Sequence, residues 1–345
     1  MDKKTKRNMK NFYDYPPLLT AWHSGLCKLN DRYLRLFGDR HPYIRPAGTA
    51  QEASDRIYRL LTADAPCMVA RFGGGELYCI ANYLGVRGGA RNLIPFIRTD
   101  AEPWWWMEKR MTALRDLSGF FPLTEEAVVR FCELSLKDTE ELDLLASWME
   151  KEWTVEHLLT GKEKIFLPYL EPWYAGKPWT RALEGKRVVV VNFLADQMER
   201  QYRENRTRLF RSPDILPEFE LRGVKAVLTY PGSENRHASW FDALEEMEEE
   251  IDKQDYDVCL IGCGAYGFPL AAHVKRAGKK AVHMGGAIQL LFGIKGNRWE
   301  DPMYGVREWG IPERFYTGLF NEYWTRAGAK TRPATADNIE GACYW

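Results

Sequence analysis

The stretch DVCLIGCGAYGFPLAAHVKRAGKKAVHMGG, residues 257–286, decides how the chain is read. Val258 to Ile261 is a four-residue apolar run between Asp257 and Gly262, the length and pattern of a strand buried on both faces. The glycines of Gly262-Cys263-Gly264-Ala265-Tyr266-Gly267 follow. A helical run then closes at Gly278, and a second strand around Ala281-Val282-His283 leads into Gly285-Gly286. Strand, glycine turn, helix and strand make one unit of a parallel sheet, because only a crossover returns the chain in the same direction.

Working outward, the pattern recurs. Cys67-Met68-Val69-Ala70 precedes Arg71-Phe72-Gly73-Gly74-Gly75-Glu76 and a helix. A short strand is expected at 165–167, another at Arg187 to Val191, and another in KAVLTYP, residues 225–231. The run Glu245 to Glu250 reads as the solvated face of an acidic helix. The prediction is an α/β fold, a mostly parallel sheet covered on both faces. Residues 1–50 read as a tail and helical extension, 51–345 as the core, and about 101–150 as a helical insertion.

Composition narrows the function. The chain has 345 residues with 48 Lys+Arg and 48 Asp+Glu, so it is formally neutral, and no nucleic-acid partner is expected. Its seven cysteines are odd in number and form no CxxC pair, which supports neither zinc nor a disulfide framework and points to the cytoplasm. No apolar stretch approaches a membrane span. A peripheral membrane contact through Lys3, Lys4, Lys6 and Arg7 stays open, as does an oligomer.

The glycine turns can hold an anion, since glycine lets backbone N–H groups approach a phosphate at a helix N-terminus. Gly262 to Gly267 is literally a dinucleotide fingerprint, but that motif needs an acidic residue about 20 positions on to grip a ribose. Ala281-Val282-His283-Met284-Gly285-Gly286 offers none, so NAD is not expected. Two readings remain for this turn: another phosphate ligand, or close helix–strand packing with no ligand. At the upstream turn Arg71 and Glu76 supply a cation and a carboxylate near one point, or else a simple ion pair.

RFGGGE, the ALEGKRVVVV strand, residues 257–299 and the closing IEGACYW together resemble the GT-D-type bacterial glycosyltransferases, over roughly residues 50 to 345. The resemblance implies a Rossmann-like GT-D sheet, a nucleotide-sugar donor, and a cell-surface glycan or lipid-linked acceptor. It implies catalytic roles for Glu76 and Arg71. It also implies donor contacts at Gly73, Gly74, Gly75, Asn192, Gly262, Gly264, Tyr266, Gly285, Gly286 and Arg298. The family's turn is Arg-Phe-Gly-Asp-Gly-Glu, and Gly74 stands here in place of the Asp. Mn²⁺ or Mg²⁺ would then rest on Glu76 alone, with substrate phosphates and water as its remaining ligands. That departure keeps alive a catalytically silent relative that binds a nucleotide or a partner. A dinucleotide oxidoreductase is the third reading.

Other candidates follow from position. Lys295 and Arg298 can meet phosphate, or be solvated loop cations. Asn192 ends a strand, where a turn or helix cap is the alternative. Asp196, Glu234, His237 and His283 are rival general bases, and His273 sits inside a helix. Thirteen Trp, 17 Tyr and 16 Phe are mostly packing. Trp104, Trp105 and Trp106, adjacent in an expected helix, cannot all face the core. Tyr344 and Trp345 are expected to pack on the body.

Overall fold

A computed structural model describes residues 11–233, 235–328, 336 and 341–345. Seven parallel strands form one sheet in the order β3-β2-β1-β7-β6-β4-β5. They are β1 (Cys67–Ala70), β2 (Leu144–Ser147), β3 (Glu163–Phe166), β4 (Arg187–Asn192), β5 (Glu220–Lys225), β6 (Val258–Ile261) and β7 (Lys280–His283). The chain winds outward from β1 to β3, then crosses to build the other half, so the carboxyl ends of β1, β7 and β6 meet where the winding changes direction. Open α/β sheets bind ligands at such a point. The Rossmann-like α/β expectation holds at this level.

Alternation within each strand makes two cores. Met68, Ala70, Val189, Val191, Cys259 and Ile261 join one apolar cluster, while Cys67, Val69, Val188, Val190, Val258 and Leu260 join another. Successive side chains of a strand point to opposite faces, so two layers of helix are needed to cover them.

Helices α1 (Pro17–Phe37), α2 (Ala50–Thr62), α3 (Gly74–Gly88), α4 (Leu93–Ile97), α5 (Glu108–Ser118) and α6 (Glu125–Thr139) come from the first half of the chain. Thr49 and Glu52 cap α2 reciprocally, at 3.2 and 2.7 Å. Thr124 caps α6 through Ala127 N–H alone, at 3.3 Å.

Three expectations are corrected. The segment 101–150 is not wholly helical, since it carries β2, whose LLAS lacks the β-branched residues that mark a strand. The strand expected in KAVLTYP lies earlier, at Glu220–Lys225, on the sheet's edge. There one face is exposed and polar, which hides it from an apolar-run reading. Trp104, Trp105 and Trp106 are not helical. Trp106 enters one core and Trp105 stacks on His23 at 4.2 Å, while Trp104 stays partly exposed. Lys3, Lys4, Lys6, Arg7 and Glu234 lie outside the described residues. Among the described residues no helix is long and apolar enough to cross a membrane.

Candidate functional site

Sheet register brings the turns together. Val69 of β1 pairs with Val282 of β7, and His283 of β7 with Ile261 of β6. The residues just beyond each strand therefore share one edge, where they border a cavity of about 1040 Å³. Arg71, Gly73, Gly74, Gly75, Glu76, Gly264, Gly285, Gly286 and Arg298 all line it. That volume is at the upper end for small-ligand clefts.

The Arg71 turn faces the opening. Its guanidinium lies across Gly285, whose missing side chain would sit 3.6 Å from Arg71 Cδ, and 5.1 Å from the Trp148 ring. Among the described residues it has no hydrogen bond or ion pair. Burial lowers its proton affinity, and the nearby Glu76 charge works the other way. The Glu76 carboxylate folds back over Gly73, where an added Cβ would meet it at 2.0 Å, and among the described residues Arg71 and Glu76 form no ion pair. Behind them α3 begins at Gly74, so its first N–H groups have no partner within the helix. An unpaired guanidinium beside a helix N-terminus suits an anion.

The Gly262 turn is filled by protein instead. A Cβ at Gly262 would lie 2.3 Å from Gly285 O, and one at Gly267 would lie 2.1 Å from the His283 ring. The missing side chain at Gly262 therefore serves close packing of the turn on Gly285. Tyr266 is likewise turned away from the cavity: it stacks on Trp240 at 4.8 Å and shares a 2.9 Å hydrogen bond with Thr229. Asn192 donates to Gly262 O and accepts from Leu194 N–H at 2.8 Å, so its amide ties two strand ends together. Gly262, Tyr266 and Asn192 border a separate space of about 30 Å³. Of this turn, Gly264 alone reaches the main cavity, at φ +60°.

The far wall comes from the last residues. Tyr344 packs on Gly286, where a Cβ would be 2.2 Å from its ring, and Trp345 meets Phe193 at 5.4 Å. Arg298 lies 5.2 Å from the Tyr344 ring and donates to Cys343 Sγ at 3.3 Å. Lys295 does not reach the cavity; its ammonium is 3.6 Å from Glu300.

The rival bases separate. His283 is buried against Ile261 O at 3.2 Å, and burial, reinforced by the Arg71 charge, takes its pKa down to about 3. It is neutral at physiological pH and too weak a base. His237 is bound to Glu246 at 2.9 Å, His273 to Asp252 at 3.0 Å, and Asp196 is solvated near Lys225, all away from the cavity.

Two residues outside the sequence reading matter more. Trp148, just after β2, donates from Nε1 to Phe72 O at 2.9 Å, and its ring would lie 3.6 Å from a Cβ at position 74. Buried Glu152 holds it by accepting from Trp148 N–H at 2.9 Å. Glu171, in the loop after β3, lines the same cavity and accepts from Tyr316 Oη at 2.9 Å. Burial pushes its carboxyl up to about 8. The available signal was Glu171-Pro172-Trp173 at a strand's carboxyl end, where ligands bind.

The site thus offers an unpaired cation, helix N–H groups, and two carboxylates in different environments. It does not offer a preformed metal cage. Among the described residues no group of three or more His, Cys, Asp or Glu is placed to hold an ion. The chain matches no protein-family model, no curated protein and no solved structure.

Proposed function

We propose that this chain is a glycosyltransferase of GT-D type, moving a sugar from a nucleotide-sugar donor to a glycan or lipid-linked acceptor. The observation that carries the reading is the unpaired Arg71 guanidinium, lying beside the N-terminus of α3 and lining a cavity that also holds Glu76 and Glu171. Transfer breaks the bond between the anomeric carbon and the donor phosphate and forms one to the acceptor oxygen. Negative charge grows on the departing diphosphate, where Arg71 and the N–H groups of Gly74 and Gly75 stabilise it most in the transition state. The acceptor hydroxyl must lose its proton. Ionised Glu171 takes it, and an acid of pKa about 8 is a stronger base than an ordinary carboxylate. The residues do not fit a resident divalent ion, because Glu76 stands alone at its turn with the Trp148 ring beside position 74. No step is therefore routed through a metal.

Thermal-shift screening against UDP-, GDP-, CMP- and dTDP-sugars, with and without Mn²⁺, tests the reading. At least one donor should raise the melting temperature, and Arg71→Ala should abolish that rise. Donor hydrolysis or transfer lost in Glu76→Gln establishes turnover. Binding with neither reaction favours the silent relative, which the Gly74 departure supports. No nucleotide response at all overturns the transferase reading and leaves the silent relative only as a partner-binding protein.

A further inference from the structure

Eleven large apolar side chains stand exposed among the described residues, and nine of them fall within residues 18–44 and 93–94. This is α1, the loop after it, and α4, on which α1 rests. At 100° per residue, Leu18, Trp22, Leu29 and Leu36 share one stripe of the helix about 40° wide. Leu18 is 89% exposed and Trp22 55%. His23 and Leu26 turn to the adjacent side, onto Trp105 and Phe96, and Asn30 donates to Phe96 O at 2.9 Å. The helix is therefore docked by one side and bare along the next.

Charge identifies what covers the bare side. Residues 11–45 carry five Lys or Arg against three Asp, and residues 84–98 carry three Arg with no acid, in a chain that is neutral overall. Exposed Lys28, Arg32 and Arg35 run along one edge of the stripe, and exposed Arg91 adjoins Leu93 and Ile94. A second copy of this surface would set cations against cations. A bilayer with anionic headgroups satisfies both halves, since apolar side chains enter the acyl boundary while lysine and arginine stay among the phosphates.

We infer that α1, with α4 beside it, lies in the plane of an anionic membrane surface and seats the protein there. This goes beyond glycosyl transfer and does not depend on it. The platform adjoins the cavity, because Met107 packs on the α1 cluster and lines the cavity wall as well.

The test is flotation of the full chain with vesicles of phosphatidylcholine alone or with a quarter phosphatidylglycerol. Binding should be at least ten-fold stronger to the anionic vesicles and should weaken as salt rises. Leu18→Glu with Trp22→Glu should cut it ten-fold or more, while circular dichroism and melting stay unchanged. Arg32→Gln with Arg91→Gln removes two exposed cations and should weaken binding to anionic vesicles only. Absent binding or equal binding to both vesicles overturns the inference. So does a dimer in sedimentation that Trp22→Glu splits without any vesicle binding.

Discussion

The turns at Arg71–Glu76 and Gly262–Gly267 lie one strand apart on the same sheet edge, and both read as strand, glycines, helix. Gly262 and Gly267 of the one and Gly74 of the other do opposite things. At Gly262 and Gly267 the space of the missing side chain is taken by Gly285 O and by the His283 ring, so these two positions are closed by the protein itself. At Gly74 the nearest atom is a Trp148 ring carbon at 3.6 Å, an ordinary contact, and the backbone borders the cavity. A glycine motif therefore marks close approach without saying what approaches.

That contrast can be broken experimentally. The largest effect should come from Arg71→Ala, which removes the cation that the donor's phosphate would meet. Transfer or donor binding should fall by about 10²–10³-fold, the usual loss for one donor to a developing charge. Because the guanidinium has no hydrogen bond or ion pair among the described residues, the urea midpoint should fall only slightly. A large drop would mean that Arg71 is a structural residue and that the two turns are alike.

Next is Gly267→Ala, with Gly262→Ala as its companion. A Cβ at 2.1 Å from an imidazole buried in the core cannot be absorbed without displacing it. Destabilisation of about 1–3 kcal/mol is expected by denaturant titration. Wild-type stability in either variant would show that the space is available to a ligand after all.

Glu171 sharpens the chemistry of the open turn. Its folded pKa of about 8 lies above the ordinary 4.5, so the folded state holds a proton that the unfolded chain has released. Stability from this group is complete below pH 4.5 and declines as pH rises through 8. Glu171→Gln should flatten that decline in melting curves between pH 5 and pH 8. If Glu171 is the base, the variant should also lose the rise of kcat with pH toward 8.

The smallest effect is expected for Gly74→Ala. It has room for a methyl group at the start of a helix, so stability should change by no more than about 0.5 kcal/mol.

Sequence alone settled more of the fold than of the site. The apolar runs at Cys67–Ala70, Arg187–Val191 and Val258–Ile261 are buried on both faces, so period and length sufficed. Leu144–Ser147 and Glu220–Lys225 were misplaced because one has no β-branched residue and the other is a half-exposed edge strand. Arg71, Glu76 and Gly264 were legible as cavity residues from their place after strands. Trp148 and Glu171 were not, since each acts through contacts with residues far off in the chain. The same distance explains why Gly262, Gly267 and Gly286 cannot be told from ligand-binding glycines in one dimension. Local pattern determined that glycine stands at each turn. Only the packed sheet edge decided whether the space left by its absent side chain went to the protein or to the cavity, because that space is filled by residues from other strands.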